Sequence, residues 1–204
     1  MLDIRSLVFP DVKLIRWKRI VDGRGYFAET YVRRDFAATG IAQEFVQDSE
    51  SRSDAAGTVR GLHFQISPFA QAKLIRVLRG RIFDVVVDLR RSSPDYGRTI
   101  DVELTAETDE QLFVPSGFAH GFCTLQAGTE VMYKVDAAYS PEHERGILWS
   151  DPTLAIRWPV LEGDAILSEK DRALPLLHDL PVYLSEYNWV SNMRMEHGSL
   201  GVRR

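Results

Sequence analysis

Residues Lys73–Asp88 read KLIRVLRGRIFDVVVD. Two apolar runs of strand length, rich in Val and Ile, flank the tight connection Arg79-Gly80, and the expected structure is a β-hairpin. The same pattern repeats outward along the chain. Strands are expected at Asp11–Arg19, Phe45–Ser51, Thr58–Gln65, Thr99–Leu104, Gln111–Val114, Ala119–Thr124 and Glu130–Asp136. In the last of these, Val131, Tyr133 and Val135 fall on one face by the two-residue period. Turn signals separate the runs: Asp22-Gly23-Arg24-Gly25, the polar loop Arg52–Gly57, and Ser92–Gly97 around Pro94. Tyr31–Thr39 predicts a short helix closed by Gly40. Many short strands with few and short helices predict an all-β jelly roll, whose sheets close into a small barrel with a mouth.

The 204 residues, 45% hydrophobic and 26% charged, fit one globular domain with a real core. We expect a jelly-roll core over about 15–177 and a less regular extension over 178–204. The formal net charge of -4 implies no general attraction to nucleic acid. The single cysteine, Cys123, leaves no internal disulfide to form. No apolar run reaches the roughly 20 residues of a membrane span. Charges interrupt the apolar stretch at the N-terminus, which reads poorly as a signal peptide. A cytoplasmic protein is expected.

Five histidines are present. His63 sits in RGLHFQ, inside an expected strand, where a partly desolvated imidazole is either a general base or a core histidine bonded to a backbone carbonyl. A jelly-roll metal site commonly places two histidines on alternate residues, yet Gln65 follows His63 at that spacing and Phe118 and Phe122 flank His120. Metal binding is therefore not expected. Lys73 opens a strand; near a barrel mouth it could stabilise an oxyanion, and otherwise it is a solvated strand end. Tyr133 is a proton donor or a core residue with a satisfied hydroxyl. Arg24 and Arg60 suit a diphosphate or are surface charge, and Arg76 and Arg79 read as surface charge. No dinucleotide fingerprint, Walker loop or Gly-x-Ser-x-Gly elbow occurs.

The segments GRGYFAE, FVQD, RGLHFQ, the Lys73–Asp88 stretch, VPSGFAHGF, the YK pair at Tyr133, YSPEHERGILW, IRWP and LSEKD follow one another in order. Together they closely resemble the dTDP-4-dehydrorhamnose 3,5-epimerase family, over about Ile15 to Leu177. The resemblance implies a cupin-like homodimer without metal or cofactor, acting on a dTDP-4-keto-6-deoxyhexose. It implies that His63 paired with Asp171 is the base, Tyr133 the proton donor, and Lys73 the cation at the ketone oxygen. Nucleotide and phosphate contacts would fall on Arg24, Glu29, Gln47, Arg60, His120, Glu144 and Lys170, with Tyr139 stacking on the base. Ser49 stands where the family usually has asparagine, which alters one polar contact near the nucleotide. The alternatives are an epimerase acting at C3 alone, a metal-dependent cupin, and a non-catalytic sugar-nucleotide-binding module. Strict strand alternation puts Arg60 and His63 on opposite faces, so both reach one ligand only through a bulge or a ligand shared between two subunits.

Overall fold

The computed structural model describes residues 2–181. Among the described residues thirteen strands are present: β1 Asp3–Ser6, β2 Lys13–Arg16, β3 Ile20–Asp22, β4 Gly25–Phe27, β5 Gln47–Ser53, β6 Val59–Gln65, β7 Lys73–Arg79, β8 Arg81–Asp88, β9 Thr99–Thr105, β10 Glu110–Val114, β11 Phe118–Thr124, β12 Thr129–Val135 and β13 Glu144–Gly146. Two short helices, α1 Arg33–Ala37 and α2 Glu169–Arg172, complete the frame with two 3₁₀ turns. Six strands form one antiparallel sheet in the order β1-β2-β10-β7-β12-β5. Five form a second in the order β13-β6-β11-β8-β9, and β3-β4 is a separate hairpin. The two large sheets face each other as the expected jelly roll. Of the extension expected over 178–204, the part from 182 onward lies outside the described residues.

The layering follows from the sequence. Ile75 and Val77 of β7, Leu112 and Val114 of β10 and Val131 of β12 meet Ile82 and Val86 of β8, Leu104 of β9, and Phe118 and Phe122 of β11 in one core between the sheets. Burying side chains of this size contributes about 1.5–3 kcal/mol each. The alternate residues are covered as well. Val85, Val87 and Leu62 pack outward against Ile147, Leu154 and Leu177, and Leu74 and Phe113 pack outward against Phe36 and Ile41 around α1. Burial on both faces is why these runs are continuously apolar and not alternating.

The Lys73–Asp88 hairpin is not formed. β7 pairs with β10 and β12, whereas β8 pairs with β9 and β11. The chain crosses from one sheet to the other at Gly80, whose φ is +81° and where a Cβ would collide with Thr129. Two runs that need cover on both faces are satisfied by partners from distant segments, a choice that no local pattern encodes. Strands β1, β3, β4 and β13 and helix α2 had no counterpart in the sequence reading; the expected strands and the short helix are present, most with boundaries moved by one to a few residues.

A bulge reverses the side-chain parity within β6. Arg60 pairs with Phe122 and His63 with His120, so three steps along β6 answer two along β11. Gly61 carries the extra step with φ +124°; a Cβ there would lie 2.6 Å from the Gly121 α-carbon and 2.9 Å from the His120 carbonyl oxygen. Arg60 and His63 therefore point to the same side, and no sharing of the ligand between subunits is needed to bring those two together.

Candidate active site

At one end of the barrel the sheets part around a cavity of about 660 Å³. All of the expected site residues line it except Arg24 and Glu29. The five-stranded sheet presents Arg60 and His63 from β6, His120 from β11 and Glu144 from β13. The six-stranded sheet presents Gln47 and Ser49 from β5, Lys73 from β7 and Tyr133 from β12. Helix α2 closes the rim with Lys170 and Asp171, and Tyr139 stands on the loop after β12.

His63 accounts for the deepest chemistry. Its Nε2 lies 2.7 Å from Asp171 Oδ1. An ionised carboxylate only accepts, so Nε2 carries the hydrogen and Nδ1 is the bare, basic nitrogen. Asp171 is held in turn by α2: its own N–H donates to Ser168 Oγ at 3.0 Å, the serine capping the helix. Burial raises the Asp171 carboxyl, but the His63 bond and charge, with the Gly61 N–H and Ser168, outweigh it and hold it below its ordinary value of 3.8. An anionic partner of this kind stabilises the imidazolium that forms when Nδ1 takes a proton.

Lys73 approaches from the opposite sheet, and its Nζ donates to the His63 carbonyl oxygen at 3.3 Å. Its head group keeps some surface on the cavity but is otherwise enclosed by protein. Desolvation holds the ammonium down to about 8, against the pull of Glu144 and Asp84. Tyr133 projects from β12 on the face shared with Val131, against the inner core. Imidazole and phenol thus stand on opposite walls, and the lysine, on the strand next to that of the phenol, reaches across to the His63 carbonyl.

A second cluster forms the outer part. Tyr139 donates its hydroxyl to Glu144 Oε2 at 2.6 Å, and its backbone N–H donates to Gln47 Oε1 at 2.9 Å. Gln47 Nε2 donates to Ser49 Oγ at 3.0 Å, so the serine takes part in orienting the glutamine that holds the tyrosine. Lys170 pairs with Glu144. Burial raises the Glu144 carboxyl, yet the bonds from Lys170 and Tyr139 prevail and leave it below its ordinary value. Arg60 donates to Ser53 Oγ (3.2 Å) and to the Arg52 carbonyl (3.0 Å), which aims its guanidinium along β5.

Arg24 and Glu29 stand outside the cavity. Arg24 sits at the tip of the β3-β4 hairpin, 90% exposed at its side chain and paired with Asp22 at 2.5 Å; Glu29 is exposed just beyond β4. The hairpin projects from the sheets, which is why residues adjacent in the GRGYFAE motif do not reach the ligand side of their own chain. Conversely, the sequence reading missed Asp84, Gln65 and Ser168. Asp84 Oδ2 lies 2.8 Å from His120 Nε2. Gln65 fixes the loop bearing Tyr139 through the Ala138 carbonyl and the Ser140 N–H, at 3.2 and 2.7 Å. The signal for Asp84 was available: one acid in IFDVVV, on the inward parity of Ile82 and Val86, is a buried charge in need of a partner.

This arrangement can remove a weakly acidic proton on one side of a bound molecule, hold the resulting oxyanion and return a proton on the other side. A family model described as dTDP-4-dehydrorhamnose 3,5-epimerase matches residues 6–179. A dTDP-4-dehydrorhamnose 3,5-epimerase of Sinorhizobium fredii is 51% identical over 178 residues, covering 87% of this chain and 91% of the relative. The Bacillus anthracis enzyme of that name, solved with TDP and PPi bound, superposes with a TM-score of 0.83 at 49% identity, covering 86% of this chain and 99% of the other. The 3,5-epimerase of Legionella pneumophila, solved in complex with dTDP-4-keto-L-rhamnose, gives 0.86 at 41% identity, with 92% and 99% covered. The chain belongs to the dTDP-4-dehydrorhamnose 3,5-epimerase family.

Proposed function

We propose that this chain epimerises dTDP-4-keto-6-deoxy-D-glucose at C3 and C5, without a cofactor. The observation that carries the reading is the placement of a bare imidazole nitrogen and a phenol on opposite sheets of one cavity, with a desolvated ammonium on the same cavity bonded to the His63 carbonyl. The ketone at C4 acidifies the flanking hydrogens because the carbanion spreads onto oxygen. His63 Nδ1 takes the proton, the C–H electron pair moves to O4, and Lys73 meets the oxyanion. A donor so placed is worth about 3–4 kcal/mol in the transition state. Tyr133 delivers a proton to the opposite face of the same carbon, which inverts it. The imidazolium and phenolate then exchange the proton with solvent. Two centres share one oxyanion site, because both lie beside the same carbonyl.

Arg60, His120 and Lys170 supply positive or donor groups for the diphosphate, and Tyr139 offers a ring face for the base. Binding energy from these remote groups orients the sugar. Arg24 and Glu29 reach a ligand only from a second copy of the chain. The β3-β4 hairpin exposes Ile20, Val21, Tyr26 and Phe27 at 60–73%, a surface that a homodimer would cover, carrying Arg24 and Glu29 toward the partner's cavity. In that arrangement Arg24→Ala raises KM and leaves the rate at saturation within about threefold.

The decisive experiment is incubation with dTDP-4-keto-6-deoxy-D-glucose in deuterated water, read by NMR. Label at C3 and C5 with inversion is the expected result. Label at C3 alone means a C3 epimerase, and no label from folded protein defeats the proposal. His63→Ala should lose exchange at both carbons by at least about a hundredfold while still binding dTDP.

A further inference from the structure

In the proposed reaction one phenol serves two carbons. C3 and C5 flank a single carbonyl about 2.5 Å apart, and a phenol pivoting on its Cα–Cβ bond covers that distance with a lean of about 30°, the limit of one staggered well. The lean runs along the wall of the cavity, so the gap between the sheets is unchanged. Whether the ring has room for it depends on what stands beside it. Among the described residues nothing hydrogen-bonds the Tyr133 hydroxyl, so packing against its neighbours is what confines it.

Those neighbours are fixed by the register of the six-stranded sheet. On one side Tyr133 is opposite Ile75 of β7, and on the other it is opposite Ser49 of β5. Residues so paired on one face have Cβ atoms about 4.5–5.5 Å apart. Ser49 and Tyr133 both line the cavity, whereas Asp48 and Glu50, on the other parity of β5, are exposed. The two flanks are unlike. Ile75 is a branched side chain with no exposed surface, locked in the core between the sheets. Ser49 ends at Oγ, and a 3.0 Å bond from Gln47 Nε2 draws that oxygen along β5. Strand β5 is the edge of its sheet, so no further strand of that sheet stands behind the serine. The phenol is walled on the β7 side and open on the β5 side.

We propose that Ser49 is a specificity-determining residue of this site: it positions Tyr133, and its small side chain is what lets one phenol reach both carbons. A side chain with γ-methyl groups at this place would confine the phenol to one of them. The inference rests on the epimerase reading and adds to it the residue that sets how many centres are inverted. A carbon beyond the phenol's reach still loses its proton to His63, because the base stands on the other sheet. The electron pair on O4 then returns to that carbon, which takes a proton back from the imidazolium on the face it left. Such a carbon exchanges with solvent without inverting.

The test uses dTDP-4-keto-6-deoxy-D-glucose in deuterated water, with label and configuration at C3 and C5 both read by NMR. Wild type should invert both carbons. In Ser49→Val, inversion at one carbon should slow by at least about tenfold relative to the other, as added bulk beside a packed ring predicts, and label at the slowed carbon should arrive with its configuration retained. Ser49→Ala loses the bond from Gln47 without adding bulk and should keep the wild-type ratio of the two inversion rates. Ser49→Thr keeps the hydroxyl, adds one methyl group and should shift the ratio in the same direction as valine. Both rates come from the same molecules, so a loss of folded protein or of nucleotide affinity cancels from the ratio. A ratio unmoved in folded Ser49→Val, or moved as far by alanine as by valine, overturns the assignment and leaves the epimerase reading intact. If Ser49→Val does not fold, an unmoved ratio in Ser49→Thr overturns it. Wild type that inverts C3 alone defeats the two-centre reading and this inference together, and wild type that labels neither carbon defeats the epimerase reading on which the inference rests.

Discussion

Lys73→Met should make the protein more stable at neutral pH and almost inactive. The folded protein holds the Lys73 ammonium down to about 8 from an ordinary 10.5. At 1.36 kcal/mol per pH unit, keeping the cation in the folded state at pH 6.5 costs about 3 kcal/mol relative to a neutral side chain. The sign follows from proton counting. Between about 8 and 10.5 the unfolded chain carries a proton that the folded chain has lost, so wild-type stability rises with pH across that window. Methionine has the length of the stem without the charge and escapes this cost. Its advantage should therefore be about 3 kcal/mol at pH 6.5 and shrink to about 1 kcal/mol at pH 9.5. At about 2–4 °C per kcal/mol for a chain of this size, the gain at pH 6.5 is roughly 6–12 °C in Tm. Urea unfolding at both pH values measures it. Packing of the methyl group adds a constant offset, so the change with pH is the diagnostic quantity. An advantage that is equal at the two pH values, or a variant less stable at pH 6.5 than at 9.5 relative to wild type, would refute the claim that Lys73 is held as a costly cation. Activity should fall by about 10²–10³.

Gly61→Ala tests the bulge: the new Cβ would meet backbone at 2.6 and 2.9 Å in a left-handed conformation, and a loss of about 3 kcal/mol or more is expected by chemical denaturation. An alanine variant of wild-type stability would mean that β6 can run without its extra residue. Ser168→Ala removes the cap that holds Asp171. It should cost about 1 kcal/mol and lower the exchange rate severalfold with dTDP affinity unchanged. Cys123 is buried and its thiol is pushed up to about 11 by desolvation, so labelling by a thiol reagent at pH 8 should follow global unfolding, and fast labelling of the folded protein would contradict that burial.

Much of the architecture was legible because β strands buried on both faces announce themselves as apolar runs between turn residues. Their partners were not legible. KLIRVL and RIFDVVVD sit one turn apart, yet each completes a different sheet, since pairing is decided by which distant strand covers the open edge and not by proximity in the chain. The site residues were legible as a set of motifs, but their directions were not. Alternation alone separated Arg60 from His63; one extra residue at Gly61 brought them to the same side. Arg24 and Glu29 were grouped with the rest because a motif has no geometry, and the projecting hairpin takes them elsewhere. Asp84 shows in the sequence as a lone acid among the apolar residues of a core strand, but no local pattern names the His120 of a distant segment that answers it.

The site depends on the two sheets being different objects. His63 and His120 lie on neighbouring strands of one sheet, and their distance is fixed by backbone hydrogen bonds. Lys73 and Tyr133 lie on neighbouring strands of the other, with Tyr133 opposite Ile75 and Lys73 opposite Val135. Between the pairs there is no ladder at all. Their separation is set by Ile75, Val77, Val86, Phe118 and Phe122, which fill the space between the sheets at the density of an organic solid. A proton-transfer reaction that must take from one face of a carbon and give to the other needs that gap to be constant. The Lys73 bond to the His63 carbonyl is a single link across the gap, and side-chain packing supplies the rest of the constancy, so the core between the sheets is also the spacer between His63 and Tyr133.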